Sequence, residues 1–99
     1  LAQQDPQDAE VRLFLGDVLI SAGRPEEALK WLAPLAEGPA RDGRVFYLAA
    51  LAYDQLGNGE LALLHYEKAL ECEPTNEVYL ASYEKALEAF PTALIGSHR

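Results

Sequence analysis

Residues Arg44 to Pro74 read RVFYLAALAYDQLGNGELALLHYEKALECEP. Two amphipathic helical patterns flank one turn signal, Leu56-Gly57-Asn58-Gly59-Glu60. Small residues fall where two helices must touch: Ala49 and Ala50 before the turn, Ala62 and Ala69 after it. Phe46, Tyr53, Leu56, Leu63, Tyr66 and Leu70 fill the remaining inward positions. This stretch predicts a helical hairpin closed along a seam of alanines.

A shift of thirty-four residues lays an earlier stretch on this one. Val11 falls on Val45, Gly16 on Ala50, Gly23 on Gly57, Glu26 on Glu60 and Ala28 on Ala62. The matched positions are the ones geometry constrains: Gly16 and Ala28 permit close helix approach, and Gly23 permits the turn. Self-similarity at this period marks an array of two-helix repeats.

The pattern Phe46-x2-Ala49-Ala50-x2-Tyr53, Ala62-x3-Tyr66 and Pro74 resembles the tetratricopeptide repeat (TPR) unit. Phe46 stands for the family's tryptophan, and Ala49-Ala50 for its Leu-Gly pair. The resemblance spans Ala9 to about Phe90. It implies an all-α fold: a right-handed superhelix of two helical hairpins and a C-terminal capping helix, whose first helices line a concave groove.

In chain order, residues 1–8 read as the tail of a preceding repeat, with Pro6 in the role of Pro74, or else as a frayed N-terminal turn. Residues 9–42 form the first repeat, 43–76 the second, 77–90 the capping helix and 91–99 a mobile tail. Asp8, Asp42 and Asn76 are placed to cap helices. Gly23 and Gly57 end first helices, and Pro25 opens a second one. In the first helix the apolar positions taken as inward are Val11, Leu15, Val18, Leu19 and Ala22. Arg12 occupies a place where the family has a large apolar residue and is expected to loosen that helix's outer end. Pro34 forfeits the bond to the Lys30 carbonyl and is expected to kink or end the second helix. Pro91 is expected to stop the capping helix with no partner helix after it.

Ninety-nine residues with a formal charge of −8 bound the function further. No basic stripe exists to displace counterions from nucleic acid. No run approaches eighteen apolar residues, so no membrane insertion is expected. The acidic surface favours basic or neutral partners. The chain starts with Leu and shows no signal peptide, which suggests a segment of a longer protein.

Catalytic patterns are missing from the sequence: there is no phosphate-binding glycine loop, zinc-protease helix or nucleophile elbow. No catalytic residue, metal ligand or cofactor is therefore assigned. His65 is expected to face solvent or a helix edge, and Cys72 to be a small, partly buried apolar residue. His65 and Cys72 lie seven residues apart, too far to chelate one metal by themselves. Glu26 and Glu27 sit at a helix N-terminus, where carboxylates favour the dipole.

What the resemblance does assign is a partner-binding groove. The matching positions are Leu13, Asp17 and Ile20 in the first unit, Arg44, Tyr47, Leu51 and Asp54 in the second, and Val78 and Lys85 in the last. Glu10, Leu48, Ala81 and Ser82 share those faces. Leu13, Ile20, Tyr47, Leu51 and Val78 would form an apolar strip that buries a protein or peptide segment. Asp17, Arg44, Asp54 and Lys85 would fix its register. The alternative is that the strip packs on neighbouring helices of the chain itself. Tyr47 and Leu51 are expected to tolerate alanine if they face the groove. The carboxylate clamp of one family subset is not expected, because its positions hold Leu13, Asp17, Leu48, Val78 and Ser82. A second function class is a scaffold that forms homo-oligomers through exposed hairpin ends, at Val11, Trp31 and Leu32 or at Tyr79, Tyr83 and Phe90.

Overall fold

A computed structural model describes residues 8–39 and 41–92. The readings made for residues 1–7 and 93–99 lie outside them. Five α-helices follow one another: α1 (Ala9–Ser21), α2 (Pro25–Glu37), α3 (Gly43–Gln55), α4 (Gly59–Cys72) and α5 (Glu77–Ala89). No strand occurs among the described residues. Each helix packs on the next, and α1 also packs on α3. The result is an elongated all-α repeat, 47 × 26 × 23 Å.

Local chemistry sets the helix ends where the sequence marks them. Asp8 accepts from the Glu10 amide at 2.8 Å, Asp42 from the Arg44 amide at 2.9 Å and Asn76 from the Tyr79 amide at 3.0 Å. Each bond satisfies one donor that the first helical turn leaves without a partner. Asn58 caps α4 in the same way, through the Leu61 amide. Gly23 and Gly57 take φ of 76° and 78°, the left-handed conformation that a Cβ disfavours. The residues after them, Arg24 and Asn58, donate back to the Leu19 and Tyr53 carbonyls at 2.8 and 2.9 Å. Both turns are thus the same Schellman closure, one repeat apart.

Small residues bring the helices together. Ala28, Ala50, Ala62 and Ala69 are fully buried, and Ala49 nearly so. At Gly16 a Cβ would lie 2.8 Å from Leu32 Cδ2, so the glycine makes room for the Leu32 side chain between α1 and α2. One core cluster joins Leu13, Ile20, Ala28, Leu32, Val45 and Ala52. A second joins Ala50, Ala62, Leu63, Tyr66 and Ala86, and so welds α5 onto the second hairpin. α5 thereby covers one side of α4.

Four expectations need correction. Leu56, read as inward, is 42% exposed at the end of α3. In α1 the buried residues are Leu13, Gly16 and Ile20, while Val18 and Ala22 are exposed. The helix is apolar around most of its circumference, so periodicity could not choose the face that α2 and α3 cover. Arg12 does not loosen the fold: its guanidinium lies 5.4 Å from the Trp31 ring centroid and donates to the Trp31 carbonyl at 3.0 Å. Its long stem and flat head do the work of an apolar residue. The helix α2 runs on through Pro34 to Glu37. Pro34 and Lys30 are both exposed, where water can take the carbonyl that proline leaves free. At the other end α5 stops at Ala89, before Pro91, and Pro91 and Thr92 have helical backbone again.

Candidate functional site

The first helices of the repeats, α1, α3 and α5, share one face of the molecule. Between them lies a cleft of ≈ 370 Å³, lined by Glu10, Leu13, Phe14, Asp17, Arg44, Tyr47, Leu48 and Tyr79. Repeat register explains the lining. Glu10, Leu13 and Phe14 of α1 correspond to Arg44, Tyr47 and Leu48 of α3 at the thirty-four-residue shift.

The floor on the α5 side is aromatic. Tyr47 stacks on Tyr79 with centroids 4.7 Å apart, and its hydroxyl is 2.9 Å from Ser82 Oγ. Tyr79 donates in turn to Glu73 at 3.1 Å, and burial together with that carboxylate pushes its pKa up to about 12. The α1 side is open. Phe14 is 67% exposed and is the most exposed large apolar residue of the described chain.

Charge at the rim is organised around Arg44. Its guanidinium meets Glu10 at 2.9 Å and Asp42 at 2.7 Å, with further nitrogens turned to the second oxygen of each. The Arg44 hydrogen bonds hold the Asp42 carboxyl below its ordinary range, against the opposing cost of burial. Asp17 has no hydrogen-bond or ion-pair partner among the described residues. Of the four lining charges with Asp42 counted, three are therefore acidic.

The residues expected on the groove separate into four groups. Leu13, Asp17, Arg44 and Tyr47 come together at the cleft. Ile20 and Leu51 sit below it as core: Ile20 is 6% exposed, like Leu13, and Leu51 packs against both main clusters. The open strip drawn through them is therefore interrupted by the chain's own packing, and the expectation that Tyr47 and Leu51 tolerate alanine does not fit these contacts. Asp54 is turned to α4, where it accepts from the Tyr66 hydroxyl at 3.1 Å. Val78 and Lys85 are exposed on α5 outside the cleft lining. Phe14 was missed, although the repeat shift pairs it with Leu48, which was placed on the groove face.

The contacts expected at the hairpin ends are mostly internal. Leu32 and Tyr79 are buried, and Tyr83 and Phe90 pack on the second cluster. His65 is not solvent-facing: its ring is half-buried near Tyr53 and Phe46, at 5.0 and 6.5 Å between centroids. Cys72 is half-buried, as expected. Among the described residues no cluster of His, Cys, Asp and Glu could hold a metal ion. Nor is any described helix long and apolar enough to cross a membrane.

Stacked helical hairpins with shared seams and a cleft on their first helices define a helical repeat protein. Two family models, each described as tetratricopeptide repeat, match residues 1–52 and 43–76, and the chain belongs to the tetratricopeptide repeat family. Repeats of this family are generally protein–protein interaction modules. Neither the curated proteins nor the solved structures compared with the chain gave a match.

Proposed function

We propose that this chain is a non-enzymatic interaction module that holds a segment of a partner protein in the cleft between α1, α3 and α5. The observation that carries this reading is the ≈ 370 Å³ cleft with Phe14 exposed at its edge. An exposed phenylalanine beside tyrosines and a leucine is the arrangement in which an apolar anchor from a partner is desolvated. Leu13, Tyr47 and Leu48 form the wall, Asp17 and Arg44 the polar rim, and Val78 extends the apolar surface along α5. Ile20 and Leu51 hold the wall in place from beneath. Segments of this kind bind in the micromolar range, roughly −8 kcal/mol.

Arg44 does not serve as a receptor for a free terminal carboxylate. Its donors are already engaged by Glu10 and Asp42, and a ligand carboxylate would have to displace one of them.

Peptides selected from a random display library on the wild-type chain test the proposal. Phe14→Ala should weaken the selected peptides at least about tenfold, with an unchanged melting curve because the side chain is exposed. Selected peptides that bind Phe14→Ala and wild type equally would overturn it. Self-association is the competing reading, and a monomer by sedimentation across the micromolar range would remove it.

A further inference from the structure

The cleft described above has a charge pattern that selects among partner segments, and the inference drawn from it rests on the cleft being a binding site. We propose that its occupant is a short segment with an aliphatic or aromatic anchor flanked by lysine or arginine. The apolar part follows from Phe14, Tyr47, Leu48 and Tyr79 in the lining. The basic flank follows from the rim.

Arg44 lies between two carboxylates, Glu10 at 2.9 Å and Asp42 at 2.7 Å, so that group of three carries a net negative charge. Asp17 adds a second negative charge at the cleft lining, with no partner of its own among the described residues. Asp17 is exposed and one helical turn from Phe14, so a partner whose anchor lies on Phe14 brings its flanking residue to Asp17. A carboxylate there would meet uncompensated repulsion; an ammonium or guanidinium would find an open acceptor. The whole chain, at −8, adds a field of the same sign.

The test uses the full chain and two amidated peptides with identical leucines and alanines, one flanked by lysines and the other by glutamates. Binding is read by fluorescence anisotropy at low and high salt. The lysine peptide should bind at least about fivefold tighter at low salt, the size of one or two exposed charge pairs. The advantage should shrink as salt screens the rim. Asp17→Asn should remove about half of it while leaving the melting curve unchanged, and Phe14→Ala should weaken both peptides together. Equal binding of the two peptides, lost alike in Phe14→Ala, would overturn the charge inference and leave the cleft reading intact. Binding of either peptide that is insensitive to Phe14→Ala, or no binding of either, would overturn both. A concentration-dependent dimer that is abolished by Phe14→Ala and excludes the lysine peptide would make a second copy the occupant and would equally overturn the inference.

Discussion

The two hairpins fill equivalent positions with different chemistry. Leu32 of α2 and Tyr66 of α4 stand thirty-four residues apart, and they are the largest fully buried side chains of the described chain. Leu32 sits against Gly16 in a cluster with Ile20, an entirely apolar solution. Tyr66 takes the same place over Ala50, and its hydroxyl needs an acceptor once the ring is buried. That acceptor is Asp54, the counterpart of Ile20. A second pair differs in the same manner. Arg12 over Trp31 in the first hairpin is a cation–π contact, while the counterparts Phe46 and His65 approach as two rings. Repeat register therefore dictates where a side chain is buried, and leaves open what kind of interaction fills the place.

The largest effects should come from emptying the shared central position. Tyr66→Ala should destabilise by about 3–5 kcal/mol, and Leu32→Ala by about 2–5 kcal/mol, through lost burial and the cavity left behind. Urea unfolding followed by circular dichroism measures both. If either change costs less than about 1 kcal/mol, the two positions are not equivalent centres and the comparison breaks.

Next in size are the turns, where the hairpins should behave alike. Gly23→Val and Gly57→Val each force a β-branched residue into positive φ, which costs roughly 1–3 kcal/mol. A Cβ at either site meets nothing within 4 Å, so the penalty is conformational and not steric crowding. Equal losses in melting experiments would confirm that the closures are the same; a loss confined to one hairpin would separate them.

Much of this architecture was legible because backbone geometry restricts which residues can occupy a place. Left-handed turns require glycine, first turns require a capping side chain, and close seams require alanine. Gly57, Asp42 and Ala62 announce their roles for that reason. Side-chain faces were harder to read where a helix is apolar on several sides. In α1 either of two stripes could have been the core, and only the positions of α2 and α3 chose Leu13 and Ile20. The same ambiguity hid Phe14, whose exposure depends on the gap between α1 and α3. Arg12 and His65 were misjudged by polarity alone, although flat rings and guanidinium heads pack well against each other.

Tyr66→Phe sharpens the polar difference between the hairpins. Removing the hydroxyl should cost about 1 kcal/mol, because Asp54 is half-buried and water replaces part of what it loses. Burial, reinforced by the Asp54 charge and hydrogen bond, raises the Tyr66 pKa, so the hydroxyl stays protonated and donating at neutral pH. In a double-mutant cycle, Asp54→Ala should add little once Tyr66 is phenylalanine. Full additivity would show that the 3.1 Å contact contributes nothing to stability.

The smallest expected effect is confined to the second hairpin. Its counterpart position in the first hairpin is Trp31, which does not titrate, whereas His65 does. Burial, opposed by the hydrogen bond to the Leu61 carbonyl and aided by the Lys68 charge, lowers the His65 pKa. Glu37 of α2 lines the same cavity as His65 and Lys68. At pH above the ordinary histidine value of roughly 6.5, the ring is neutral in both the folded and unfolded chain. As pH falls below that value, the unfolded chain takes up the proton first, and folded stability declines until the lower folded pKa is reached. Urea midpoints at roughly pH 7.5 and roughly pH 5 should therefore differ more for wild type than for His65→Phe, which keeps an aromatic ring beside Phe46 and Tyr53. Identical pH dependence in the two proteins would mean that the histidine feels no burial, and that the outer faces of the two hairpins do not differ in their response to acid.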